Sequence, residues 1–172
     1  MTRILARDSD KLTGVEIVHL AQRFFGSLSR REPATSDTAW VMDVMMPGEQ
    51  ALWARMSVAD RRHAVGVARD VADTLGAEAS RPVLAAALLH DVGKVDSNLG
   101  TFARVLATVL HRHRGKSRFA RYRRHSDIGA TMLSSAGSDP LTVVWAREHH
   151  LPRSRWTLPP TLSAALKAAD DD

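Results

Sequence analysis

Residues 84–94 read LAAALLHDVGK, an apolar helical run that ends by placing His90 and Asp91 side by side. Gly93 then predicts a turn, and Lys94 follows it. Burying a neutral polar group without a partner costs about 2–7 kcal/mol, and burying an unpaired charge costs more. Each of the two groups therefore needs a partner, and a metal ion is one partner that could satisfy both.

The rest of the chain predicts an all-α fold. Apolar residues recur at helical spacing in several segments, namely 15–28, 98–110, 128–137 and 141–150. No segment alternates between apolar and polar residues as a half-buried strand would, and no internal repeat is present. We therefore predict a single-domain helical bundle.

Turn and capping residues predict where several helices begin and end. Asp60 is expected to cap a helix that ends at Gly76, and Thr161 is expected to cap the last helix. Asp139 is expected to cap the next helix, with Pro140 in its first turn. Residues 29–39 are expected to form a loop, followed by a short helix that stops at Pro47-Gly48.

The length of 172 residues suits one domain with a sizeable core. We expect a helical N-terminal extension over residues 1–57, with 1–14 loosely docked or disordered, before a domain over 58–172. The chain contains no cysteine, so any metal must be held by His, Asp or Glu. It has no run of 18 apolar residues and no signal peptide, so we expect a cytoplasmic protein.

The net charge of +5 is concentrated in one run. HRHRGKSRFARYRR (111–124) holds 7 Lys and Arg residues and no acid, whereas residues 1–86 are neutral with 11 of each sign. Such a run is often a solvated face, but it can also steer phosphates, contact anionic lipid or bind nucleic acid. Because a candidate ligand, His125, directly follows, we favour substrate steering, with Arg121 and Arg124 as candidate phosphate-binding residues.

Ligand-type side chains lie on the apolar faces of several predicted helices. Asp170, for example, continues at i+4 the face marked by Leu166. A lone histidine on an apolar face is more often a hydrogen-bonded core residue than a ligand. Independent core histidines, however, have no reason to gather at helix ends, so we predict a metal site. The candidate ligands are His63, His90, Asp91, His125, His149, His150 and Asp170.

The order of these residues resembles the HD-domain superfamily of metal-dependent phosphohydrolases, an all-α fold. HDVGK resembles its extended HD-x-GK form, and His125 with SDIGATML resembles the H-x-x-x-G-A element of members with two metals. WAREHH and ALKAAD resemble the fourth element and the closing Ala-Asp. The resemblance covers about residues 58–170, and the N-terminal extension is similar to that of stand-alone bacterial members.

The resemblance implies one or two divalent metal ions as cofactors, drawn from Mn, Fe, Ni, Co and Mg. One metal would be held by His63, His90, Asp91 and Asp170. A second would share Asp91 and take His125 and His149, with His150 as an added candidate. Asp91 and Lys94 are then the expected catalytic residues, with Lys94 placed to bind a phosphate oxygen or assist the leaving group. The alternative for Lys94 is a solvated lysine at a helix end.

The expected partner is a phosphorylated small molecule, and the expected reaction is hydrolysis of a phosphate ester or anhydride of a nucleotide. LPRSRW after His150 lacks the run typical of the subfamily that cleaves cyclic di-GMP, whereas the ligand spacing is also similar to bacterial diadenosine tetraphosphate hydrolases. Two alternatives stay open. One is a non-catalytic module that senses a nucleotide or a membrane through residues 111–124, and the other is a di-iron oxygenase.

Overall fold

The computed structural model describes residues 32–97 and 124–171, and these two ranges contain helices and connecting turns but no strand. The all-α fold class is thereby confirmed. The helices expected over 15–28 and 98–110 lie outside the described residues. The two described ranges contain seven α-helices: α1 (Thr35–Val44), α2 (Pro47–Trp53), α3 (Val58–Leu75), α4 (Arg81–Leu89), α5 (His125–Ser135), α6 (Pro140–Glu148) and α7 (Pro160–Asp171).

The cap of α3 is Ser57, and the prediction that Asp60 would cap it is wrong. The Ser57 hydroxyl accepts a hydrogen bond from the backbone N–H of Asp60 at 3.2 Å. It also donates to the Asp60 carboxylate at 2.6 Å. Asp60 therefore lies in the first helical turn, where its negative charge faces the positive end of the helix dipole. Gly76, with φ of 52°, ends the helix as predicted.

Helix α1 ends at Val44, shortly before Pro47-Gly48 as predicted, but Pro47 also begins the next helix, which was not predicted. Because the first N–H groups of a helix have no intrahelical partner, proline is tolerated there. The Glu49 carboxylate accepts a hydrogen bond from the backbone N–H of Met46 at 2.9 Å and so closes this end. The preceding helix α1 begins at Thr35, inside the segment 29–39 that was expected to be a loop.

Helices α5 and α7 also begin earlier than the pattern predicts. The helix expected over 128–137 begins at His125, and the last helix begins at Pro160 instead of being capped by Thr161. Asp139 caps α6 as predicted, since its carboxylate accepts from the backbone N–H of Leu141 at 2.8 Å. The consequence for the site is that His125 lies within the first turn of a helix.

Helix α4 is the centre of the core, because every residue from Val83 to Leu89 is buried. It contacts α1, α3 and α6, while α5 packs on α6 and α7 packs on α3. Val41 and Trp53 join the same hydrophobic cluster. Residues on both sides of the predicted boundary at 57/58 therefore share one core, and the boundary itself stays a prediction.

The helices within 32–97 and 124–171 include none whose length and apolar character would let it span a lipid bilayer.

Gly93 sets how closely the turn after Asp91 approaches α5. A Cβ atom at Gly93 would lie 1.9 Å from the carbonyl oxygen of His125 and 2.6 Å from the backbone nitrogen of Gly129. Both neighbours are backbone atoms, so they cannot move aside as a side chain could. The absence of a side chain at position 93 thus allows the His90-Asp91 corner to lie directly against the start of α5.

Replacing Gly93 with alanine is therefore expected to destabilise the fold by about 2–3 kcal/mol. Gly66→Ala is the matched control, because position 66 lies inside α3 and an added Cβ would meet nothing within 4 Å beyond the adjacent backbone of its own helix. In that exposed helical position alanine should stabilise the protein by about 0.5–1 kcal/mol. Urea unfolding of both variants measures the difference, and a Gly93→Ala variant as stable as the wild type would contradict the close approach.

Candidate metal centre

The end of α4 gives His90 a defined orientation. The His90 Nδ1 atom lies 2.8 Å from the carbonyl oxygen of Ala87, three residues earlier in the last turn of the helix. That carbonyl can only accept, so Nδ1 must carry the proton and donate it. In the neutral imidazole the lone pair therefore lies on Nε2, which is the atom available to a metal.

His149 is oriented at the end of α6 in the same way. Its Nδ1 atom lies 3.0 Å from the carbonyl oxygen of Ala146, again three residues earlier. His149 is the residue that ends α6, as His90 ends α4. Two core helices thus end with a histidine whose Nδ1 binds the helix's own last turn and whose Nε2 is left for a ligand.

The Asp91 carboxylate lies within a group of three histidines. Its Oδ1 atom is 3.1 Å from Nε2 of His125 and 3.8 Å from Nε2 of His149. Nε2 of His150 lies 3.1 Å from Nε2 of His125. One ligand atom from each of these four residues lies within 4.8 Å of the others, a spacing compatible with one bound cation.

A second group lies on the other side of Asp91. Oδ1 of Asp170 is 3.3 Å from Nε2 of His63 and 3.2 Å from Nε2 of His90. Nε2 of His90 is also 3.5 Å from Oδ2 of Asp91. Asp91 therefore belongs to both groups, and all seven predicted ligands are brought together at one place. Their role as ligands stays a prediction.

Both carboxylates in the cluster are ionised. Burial raises the pKa of Asp91, but Lys94 and His90 lower it more, so the pKa lies well below its usual range. Burial likewise raises the pKa of Asp170, and hydrogen bonds from His63 and His90 bring it well below its usual range. Ionised carboxylates are the form that binds a metal ion.

The histidines differ in protonation. Burial lowers the pKa of His149, and burial together with the neighbouring His149 and His125 lowers the pKa of His150 to about 3. Burial also lowers the pKa of His90, but Asp91 and Asp170 outweigh burial and raise it to about 10. His149 and His150 are thus neutral, while His90 holds a proton between two carboxylates.

Three buried polar atoms of the cluster are not satisfied by hydrogen bonds to the side chains around them. Nε2 of His90, Oδ1 of Asp91 and Nε2 of His149 have no satisfactory hydrogen-bond partner among the described residues. Their side chains are only 2%, 7% and 0% exposed. Buried polar atoms are normally satisfied, and a divalent cation bound in place of the His90 proton would be a common partner for all three.

Lys94 lies inside the cluster, where its ammonium group donates to Oδ2 of Asp91. This contact differs from the alternative given above, in which Lys94 is a solvated lysine at a helix end. Arg124 is exposed and directly precedes His125. Arg121 and the rest of the basic run before Arg124 lie outside the described residues, so their phosphate-binding role stays a prediction.

Two residues near the cluster were missed in the sequence. Lys167 donates to Oδ2 of Asp170 at 3.2 Å, and helical spacing could have revealed it, since positions 167 and 170 share a face. Glu148 is buried and accepts from both the N–H and the hydroxyl of Thr157, at 2.7 and 2.8 Å. Nothing in the sequence distinguishes Glu148 from a surface acid, because a glutamate beside histidines is ordinarily solvated.

Metal binding is expected to release about one proton per chain, because the cation must replace the proton on His90. Below pH 10 the affinity should rise about tenfold per pH unit. The folding stability of metal-stripped protein, by contrast, should fall as the pH rises. The stability from protonated His90 is fully present below its ordinary pKa of 6.5 and is lost as the pH rises through about 10.

Titration calorimetry of metal-stripped protein with manganese, in two buffers of different ionisation enthalpy at the same pH, counts the released protons. Identical heats in both buffers would contradict this account of His90.

The comparison with known families agrees with the fold and the cluster. The family model described as HD domain matches residues 61–171, which is more than half of the chain and includes all seven candidate ligands. Searches of curated proteins and of solved structures gave no significant match. This extent of match, on an all-α fold with the His-Asp pair at its centre, shows that the chain belongs to the HD-domain family.

Proposed function

We propose that this chain is a metal-dependent phosphohydrolase that cleaves a phosphate ester or anhydride, with a nucleotide as the expected substrate class. The observation that carries the proposal is the position of Asp91 between two groups of histidines. Members of the HD-domain family are generally metal-dependent hydrolases, which supports the same reading.

His63, His90, Asp91 and Asp170 would hold one cation, and Asp91, His125, His149 and His150 would hold the other. When bound, such cations would lower the pKa of a water molecule and neutralise charge on phosphoryl oxygens. The chain's own contribution is orientation. The last-turn carbonyls of α4 and α6 fix His90 and His149, and the buried walls exclude bulk water around Asp91.

Two of the candidate ligands are accessible to solvent among the described residues. His90 and His149 are buried, whereas the side chain of His63 is 39% exposed and His150 is exposed as well. A phosphoryl group can therefore approach the two groups of ligands from solvent. Lys94 places an ammonium beside Asp91, where we propose that it binds a phosphate oxygen, since phosphoryl transfer depends on positioning and positive charge.

The proposed partner is a phosphorylated small molecule steered by positive charge near His125. Arg124 supports this proposal, because it is an exposed cation adjacent in sequence to the candidate ligand His125. Steering of this kind should weaken as salt increases.

The first test is hydrolysis of a nucleotide panel by metal-stripped protein reloaded separately with Mn, Fe, Ni, Co or Mg. We expect release of phosphate or of a nucleoside monophosphate with at least one metal. Asp91→Asn keeps the shape of the side chain but removes the charge shared by both groups of ligands. It should lower kcat/KM and bound metal by at least about a hundredfold.

Gly66→Ala is the control, since it changes α3 at an exposed position without contacts and should retain full activity. Turnover that survives in Asp91→Asn would contradict the proposed centre. A loaded protein that binds a nucleotide without cleaving it would favour the sensing alternative, and oxygen uptake by the iron form would favour the oxygenase.

A further inference from the structure

The two oxygens of the Asp170 carboxylate have different neighbours. Oδ1 faces the cluster, at 3.3 Å from Nε2 of His63 and 3.2 Å from Nε2 of His90. Oδ2 accepts a hydrogen bond from the ammonium group of Lys167 at 3.2 Å. The carboxylate is therefore held in one orientation by contacts at both oxygens.

Lys167 is itself held in place. It lies on α7 three residues before Asp170 and four before Asp171, so all three side chains share one face of the helix. Its ammonium group donates to Oδ1 of Asp171 at 2.7 Å as well as to Asp170. The Lys167 side chain is 23% exposed, so solvent competes only in part for these two bonds.

An ammonium group only donates hydrogen bonds and cannot itself ligate a cation. By engaging Oδ2 it leaves Oδ1 as the oxygen with lone pairs directed at the histidines. We propose that Lys167 is a positioning residue of the metal centre, which restricts Asp170 to binding through one oxygen. This inference rests on the proposed metal-dependent function.

Asp91 also has a lysine on one of its carboxylate oxygens. Its Oδ1 faces His125 and His149, and its Oδ2 accepts from Lys94 while lying 3.5 Å from Nε2 of His90. The two carboxylates of the cluster come from different parts of the chain, yet each has histidines at Oδ1 and a lysine bound to Oδ2. Lys94 belongs to the HD-x-GK element, whereas Lys167 lies in the ALKAAD stretch but outside its closing Ala-Asp.

An ordinary helix ion pair between Lys167 and its two acids would have different consequences. Such a pair would affect only folding stability and would leave the affinity for metal unchanged. A positioning residue behind a ligand typically changes metal affinity by about 10–100-fold when it is removed. Metal affinity, measured apart from stability, thus distinguishes the two roles.

The test uses the full chain, stripped of metal and titrated with Co²⁺ against a chromophoric chelator, with the visible Co²⁺ spectrum recorded. Lys167→Met keeps the length and apolar stem of the side chain but removes the donor. It should weaken one of the two Co²⁺ sites by about 10–100-fold. The Co²⁺ absorption should also lose intensity, because a carboxylate free to bind through both oxygens raises the coordination number.

Lys167→Arg retains donors at this position and should restore both affinity and spectrum to within about threefold of the wild type. Arg55→Met is the control for loss of one positive charge, since Arg55 is exposed and lies in the turn after α2. Asp171→Asn provides a second variant that loosens Lys167 without removing it, and should weaken the same site by a smaller factor.

Wild-type affinity and spectrum in both Lys167→Met and Asp171→Asn, with lower unfolding free energy, would overturn the inference and leave a structural ion pair. This result differs from failure of the proposed function. In that case the wild type itself would bind no Co²⁺, and the metal centre would be overturned together with this inference.

Discussion

The structure depends on how the carboxylate of Asp91 is kept ionised while it is buried. Its side chain is 7% exposed, so it is cut off from most of the water that would stabilise its charge. Lys94, in the turn after Asp91, and the histidines at α4, α5 and α6 supply that stabilisation. The packing of these helices and the turn at Gly93 must therefore bring the partners to Asp91, or the charge would be left unpaired.

The same kind of hydrogen bond explains why two core helices, α4 and α6, end at a histidine. The last carbonyls of a helix have no intrahelical N–H to accept. In α4 and α6 the carbonyls of Ala87 and Ala146 accept from the Nδ1 atoms of His90 and His149, which end those helices. The same bond that completes the helix end fixes the tautomer and turns Nε2 toward Asp91, so helix termination and site orientation have one cause.

Much of this could be predicted from sequence, because helical periodicity shows which face is buried. Periodicity placed Asp170 on the same helix face as Leu166, and Asp170 does lie in the cluster. Periodicity could not choose between Ser57 and Asp60 as a cap, since both can accept the same kind of bond. It also could not show that Pro47 begins a helix, because a first-turn proline and a helix-stopping proline look alike without the neighbouring Glu49 contact. Helical spacing places Lys167 on the face of Asp170, but only the orientation of the carboxylate shows which oxygen the lysine binds.

Anomalous diffraction can locate a metal among the His and Asp side chains around Asp91. Crystals grown from manganese- or cobalt-loaded protein would be measured at the absorption edge of that metal. We expect an anomalous peak about 2 Å from Nε2 of His90 and from the carboxylates of Asp91 and Asp170. No peak at Asp91 in crystals of fully loaded protein, with only Lys94 and the histidines around the carboxylate, would contradict it.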